Sequence, residues 1–219
     1  MNDQVYWKNR WKNNQIGWHE PLTHPLLIAL LPKLNMKKGD TIFLPFCGAS
    51  VDMLYLAQQG YNVIGSEISN IACERFFAEQ NLHYQINERS PFLIYENDLI
   101  HLYCGDYFSL TTDFLPVISA VYDRAGLVAL AESERKNYAI HLQNLIPINR
   151  NILLITMTYE NERNEPPYLV TEHELFHLYN ENYCISMLGQ FDDTPVCQHL
   201  LARKFINPVE HAYLIRRKL

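Results

Sequence analysis

Glu67 follows Gly48 by 19 residues, near the separation of about 20 at which a strand-end carboxylate accepts from the two ribose hydroxyls of an adenine nucleotide. The alternative for Glu67 is a solvated carboxylate at the end of a strand. Asp106 and Tyr107 can receive an adenine amino group and flank its ring, or can be a helix cap and a core aromatic. Arg124 can favour an anionic reactant electrostatically, directly or through water, or can pair with Asp123 or another carboxylate. A separate run, His173-Glu174-Leu175-Phe176-His177, matches H-E-x-x-H, which places two imidazoles on one helix face to hold zinc. No extended H-E-x-x-H-x-x-G-x-x-H follows and no third ligand is identifiable, so a zinc metalloprotease is the lesser alternative and no metal is expected.

These residues need elements that bring them together. From residue 41 short apolar runs alternate with amphipathic stretches, which predicts an α/β domain with a largely parallel sheet. Strands are expected at 41–47, 61–68, 99–106, 118–125 and 151–159. Ser50 and Ser69 are placed to cap the helices after the first two strands, and Gly60 to end the first helix. A helix is expected at 132–146 and another beginning near Thr171. The runs CISMLGQF and HAYLIRRKL read as two strands with no convincing helix between them, able to pair antiparallel at one sheet edge. The stretch 85–98 carries no clear pattern. In such a sheet ligands bind beyond the carboxyl ends of the strands, and those ends deliver Phe46, Cys47 and Gly48, then Glu67, then Asp106 and Tyr107, then Asp123 and Arg124.

The stretch LPFCGASVDMLYLAQQG (44–60) has one glycine at the strand-to-helix turn, where a dinucleotide fingerprint has three. Several glycines serve close backbone approach to a pyrophosphate. S-adenosylmethionine has an adenosyl group and no phosphate, so one tight turn suffices, and the expected ligand is this methyl donor rather than NAD.

Length and composition agree with a small-molecule site. The 219 residues, 48% of them hydrophobic, suffice for one domain with a substantial core. A net charge of -6 gives no general attraction to nucleic acid or anionic lipid. Five widely spaced cysteines without a C-x-x-C pair suit reduced thiols. The start lacks the apolar run of a signal peptide and no segment approaches the roughly 20 apolar residues of a membrane span, so a cytoplasmic protein is expected. Monomer is the default.

The runs LPFCGASVDMLYLAQQGYNVIGSEIS, CERFFAEQNL, LYCGDYFSL, VYDRAGLVAL and NEPPYLV, together with the opening WKNRWKNNQIGWHE, resemble the thiopurine S-methyltransferase family in order along nearly the whole chain. The resemblance implies a class I, Rossmann-like methyltransferase fold: a three-layer sandwich around a mostly parallel seven-stranded sheet with an antiparallel carboxyl-terminal strand. It implies one domain, 1–219, with 1–40 as a cap over the site. It implies transfer of a methyl group from S-adenosylmethionine, leaving S-adenosylhomocysteine, to the sulfur of an aromatic or heterocyclic thiol, in the manner of a detoxifying enzyme. Selenium or tellurium compounds and other small thiols are alternative acceptors, and a non-catalytic adenosyl-binding protein is a further alternative.

Carried over by position, Trp11, Phe46, Glu67 and Arg124 fall on cofactor-contacting positions, as do Trp7, Asp106 and Tyr107. Trp18 takes the place of a substrate-facing phenylalanine, and Arg203 aligns with a substrate-side arginine. Arg124 is the one candidate for electrostatic assistance to catalysis. The family's usual L-C-G-K reads Phe46-Cys47-Gly48-Ala49 here, so a lysine is lost. Trp7 and Trp11, four apart, share a helix face, with Lys8, Arg10 and Lys12 turned toward water. Those aromatics can shield a sulfonium, or simply staple the segment to the domain.

Overall fold

The computed structural model describes residues 3–179 and 183–218; Met1 and Asn2 of the expected cap, and Leu219 of the expected last strand, lie outside them. The chain runs α1 (Asp3–Lys12), α2 (Pro25–Leu30), β1 (Thr41–Leu44), α3 (Asp52–Gln58), β2 (Asn62–Glu67) and α4 (Asn70–Glu79). There follow β3 (Gln85–Arg89), β4 (Phe92–Glu96), β5 (Ile100–Cys104), β6 (Ala120–Asp123), α5 (Gly126–Ala129) and α6 (Glu132–Leu145). The last elements are β7 (Asn151–Thr158), α7 (Glu172–Tyr179), β8 (Tyr183–Phe191), α8 (Pro195–Ala202) and β9 (Val209–Arg217).

The strands form one sheet of order β3-β4-β5-β2-β1-β6-β7-β9-β8. The five central strands, β5 to β7, are parallel, and both flanks are antiparallel. Chain order reverses between β1 and β6, which opens the crevice where ligands bind in such sheets. The sheet has nine strands among the described residues, not the expected seven, because 85–98 folds into the β3–β4 hairpin beside β5. β3 is exposed along its whole length, so it has no apolar period by which to be recognised. The expected antiparallel pairing of the last two strands is present, but α8 separates them. Thr194 caps that helix, its Oγ1 accepting the Cys197 amide at 3.1 Å, and Pro195 occupies the first turn, where its missing N–H costs nothing.

Strand residues alternate between two buried clusters, one on each face of the sheet. Phe43, Val121, Ile152 and Leu154 pack with Tyr138 and Leu142 of α6 and Leu175 of α7. Ile42, Leu44, Leu153 and Ile155 pack with Leu27 of α2, Met53 and Leu56 of α3 and Phe76 of α4. In α6 the buried positions Arg135, Tyr138, Ala139, Leu142 and Leu145 follow the helical period. Each large apolar side chain so buried stabilises the fold by about 1.5–3 kcal/mol.

Of the two expected serine caps, Ser50 accepts the Asp52 amide at 3.3 Å but stands one residue before the N-cap, Val51, whereas Ser69 stands at the N-cap and makes no side-chain cap bond. Its amide instead donates to Glu67, 2.8 Å away. Gly60 ends α3 with φ of 91°, a left-handed geometry natural to glycine.

Candidate active site

The carboxyl end of β2 ties together the loops on either side of it. Cys47 donates its amide to the Ser66 carbonyl at 2.9 Å, and Gly105 donates to the Glu67 carbonyl at 2.8 Å. The Glu67 side chain continues the pattern: Oε2 accepts the Gly48 amide at 3.0 Å and Oε1 the Ser69 amide at 2.8 Å. The strand-end carboxylate is therefore buried and held by two turns rather than solvated. Burial pushes its pKa up to about 7, with the Ser69 and Gly48 amides partly opposing the rise. A carboxylate has about four acceptor sites, so with the Ile68 amide also acting on the charge, capacity remains for a ligand.

Phe46 takes the left-handed conformation, φ 50°, rare for a bulky residue. That turn sets its ring against Tyr107 and Tyr138, with centroids 5.1 and 5.5 Å away. Gly48 is also left-handed, and a Cβ there would lie 3.2 Å from Trp11 Cζ2. Glycine thus lets the loop sit directly against the indole.

The amino-terminal segment lies over these loops. Asn14, φ 52°, stops α1, its side chain accepts from Arg75 at 2.9 Å, and His19 bonds Glu79 at 2.8 Å. Both partners stand on α4. Trp18 meets Trp7 and Trp11 edge-on, at 5.1 and 5.9 Å. Arg10 does not turn to water as expected, because its guanidinium covers Trp18 at 5.3 Å. The tryptophans both staple the segment and form a wall.

At the end of β6, Arg124 pairs with Asp52, not Asp123: Nε to Oδ2 is 3.3 Å. Burial alone would disfavour the guanidinium charge, but Asp52, Tyr122 and Glu210 outweigh it and raise the pKa. Asp123 is occupied by the Tyr138 hydroxyl at 2.7 Å and the Gly126 amide at 2.8 Å, and burial lifts its pKa to about 6. Asp52 also accepts the His24 amide and the Tyr122 hydroxyl. His24 takes the Leu26 amide on Nδ1, so its Nε2–H donates to Glu210 at 3.1 Å.

The strand-end loops and the amino-terminal segment line one cavity of 380 Å³. Trp7, Trp11, Phe46, Glu67, Asp106, Tyr107 and Arg124 line it, and so do Trp18 and Arg203. Every residue singled out from the sequence for cofactor or acceptor is therefore at one site. Asp106 additionally caps a short turn by accepting the Phe108 amide at 3.2 Å, and Tyr107 is buried with its hydroxyl unpaired. Sequence reasoning missed Asp52, His24 and Glu210, which hold Arg124 from behind, and His199, which lines the cavity from α8. Asp52 left a trace as an acid in the first turn of α3; the others left none.

The H-E-x-x-H run lies on α7, outside this cavity. Glu174 grips Arg135 with both oxygens at 2.7 Å, and His177 Nδ1 donates to the His173 carbonyl. Its glutamate is thus committed to a structural pair, and the protease alternative fails on geometry.

A family model described as thiopurine S-methyltransferase matches residues 2–218. A probable thiopurine S-methyltransferase of Yarrowia lipolytica is 37% identical over 211 residues, 95% of this chain and 97% of that protein. The thiopurine S-methyltransferase of Marinobacter nauticus is 40% identical over 191 residues, 87% of each. Among solved structures, a SAM-dependent methyltransferase from Anabaena variabilis superposes with TM-score 0.67 at 13% identity, covering 100% of this chain and 96% of that one. Magnesium protoporphyrin IX methyltransferase from Synechocystis, with bound SAH, gives TM-score 0.64 at 13% identity over 99% and 96%. At that identity the two likenesses speak for the class I methyltransferase fold alone.

Proposed function

The chain belongs to the thiopurine S-methyltransferase family, and from that premise we propose that it methylates the sulfur of small aromatic or heterocyclic thiols with S-adenosylmethionine as donor. The observation that carries the reading is the buried Glu67 carboxylate, fixed by the Gly48 and Ser69 amides at the edge of a cavity walled by tryptophan. It offers acceptors for ribose hydroxyls, and the glycine amides beside it, those of Gly48 and Gly105, are spent on Glu67 itself rather than open to a phosphate. The residues present fit an adenosyl sulfonium ligand: Glu67 for the ribose, Asp106 and Tyr107 for the base, Trp11 and Trp7 for the cationic end.

When bound, S-adenosylmethionine supplies a methyl group activated by its positive sulfur. The protein's part is to align, dry and balance charge. Trp7, Trp11 and Trp18 close the cavity against water, which strengthens every electrostatic interaction inside it. Val128, Met157 and Leu200 give the acceptor end an apolar surface for a flat ring. Arg124, held cationic by Asp52, favours the anionic form of an acidic thiol near it. Holding the acceptor sulfur in line with the methyl carbon supplies much of the remaining acceleration. We read the protein as acting alone, as a monomer.

Calorimetry with S-adenosylmethionine, followed by labelled methyl transfer to a panel of aromatic thiols and selenium or tellurium compounds, tests this reading. Tight cofactor binding with no transfer to any thiol would make the protein an adenosyl binder instead.

A further inference from the structure

The proposed thiol methylation leaves His199 without a task, and the inference drawn from it rests on that reading. His199 lines the acceptor end with Met157, Val196, Leu200 and Arg203. Its Nε2 is shielded from water and has no hydrogen-bond partner. The shield is the amino-terminal segment: a Cβ on Gly17 would stand 3.4 Å from that nitrogen, so the cap passes directly over the imidazole. A buried polar atom without a partner is costly in the free protein, and a hydrogen-bond donor arriving with a ligand relieves that cost.

Several neighbouring groups are already engaged. Glu67 accepts two amides, Glu210 takes the His24 proton, Arg124 faces Asp52, and His19 is bonded to Glu79. Arg203, one turn along from His199, lies 3.9 Å from Glu165. The charged and titratable side chains that line the cavity with His199 are Arg203 just past its own helix, Arg124 beyond β6, Glu134 on α6, Glu210 on β9, Cys47, Glu67, Asp106 and Tyr107 at the strand ends, and His19 and Glu20 on the cap.

We propose that His199 is the base that takes the proton of a neutral thiol acceptor, so that this enzyme methylates alkyl and benzyl thiols as well as acidic heterocyclic ones. An imidazole nitrogen with an open lone pair can accept a thiol proton at neutral pH. As it does so, the thiol sulfur forms a bond to the methyl carbon, and the bond from that carbon to the sulfonium sulfur breaks, its electron pair remaining on that sulfur. The products are a thioether, S-adenosylhomocysteine and protonated His199, which returns its proton to water when the cap opens. An acceptor already ionised needs no such step.

The test compares wild type with His199→Gln on two acceptors, phenylmethanethiol, which is protonated at neutral pH, and 4-nitrobenzenethiol, which is ionised. For phenylmethanethiol the variant should lose kcat/KM about 100-fold, while 4-nitrobenzenethiol changes by less than about threefold. S-adenosylhomocysteine affinity by calorimetry should be the same in both proteins. Equal losses on the two thiols, no loss on either, or a wild type that accepts only the ionised thiol would each overturn the assignment. A wild type that binds cofactor and methylates neither thiol would overturn the proposed function, and this base with it.

Discussion

The Asp52 carboxylate holds the Arg124 guanidinium from beneath the cavity, Oδ2 to Nε at 3.3 Å, and Asp52 is itself completely enclosed. Because the Tyr122 hydroxyl and the His24 amide also donate to it, the two members of the pair have unequal duties. Asp52 organises the core, whereas Arg124 lines the cavity.

Substituting them should separate those duties. Arg124→Ala leaves Asp52 with two donors, so stability should fall by no more than about 1 kcal/mol, as for a partly exposed pair. The kcat/KM for an acidic thiol should fall at least about tenfold. Asp52→Ala strands a guanidinium, a hydroxyl and an amide, and should cost about 3 kcal/mol in urea unfolding. A large loss of stability in Arg124→Ala with normal kinetics would assign the arginine to structure.

Glu67 should make both stability and cofactor affinity depend on pH. Its folded pKa is about 7 against 4.5 for a free carboxyl, so between those values the native state keeps a proton that the unfolded chain has lost. The contribution of this group to stability is thus fully present below about pH 4.5 and is lost as pH rises through about 7. Ribose hydroxyls donate to the ionised form, so cofactor affinity should run the other way, weakening about tenfold from pH 8 to pH 6. Calorimetry in buffers of different ionisation enthalpy should detect the released proton. Glu67→Gln should bind weakly with a flat pH response, and an unchanged slope would remove Glu67 from the linkage.

Gly48→Ala tests the loop against the indole. The added carbon would meet Trp11 at 3.2 Å in a backbone geometry, φ 55°, that alanine resists. The expected cost is about 1–2 kcal/mol in stability. Cofactor affinity should drop by about tenfold or more as Trp11 is displaced. Normal affinity would show that the tryptophan is no part of the cofactor wall.

The α7 motif offers a control. Metal analysis should find no stoichiometric zinc, and chelators should leave the melting temperature unchanged. Glu174→Ala should destabilise by about 2–3 kcal/mol by freeing a buried Arg135, while cofactor binding persists. Zinc recovered with the purified protein would reopen the matter.

The sequence was informative where one local pattern decides one element. Strands buried on both faces read as apolar runs, and the convergence of their carboxyl ends made Glu67, Asp106 and Arg124 visible as one constellation. The β3–β4 hairpin escaped because β3 is polar and exposed, so nothing periodic marks it. Helix α8 escaped because it is short and lies between two strands, although Thr194 and Pro195 announced its start. The network behind Arg124 was invisible for a different reason: His24 and Glu210 are 186 residues apart, and only the assembled fold makes them neighbours.

Helix α8 has a wider consequence for how this enzyme can change. Glu67, Gly48 and Tyr107, proposed above for the adenosyl end, all come from the first half of the chain, whereas His199 and Leu200 ride on a helix inserted between the last two strands, and Arg203 directly follows it. Mutation can remodel that insert while the strands bearing the adenosyl end keep their register. On the proposed assignment, substrate range and donor chemistry are separately heritable, and new acceptors can be explored without rebuilding the donor site.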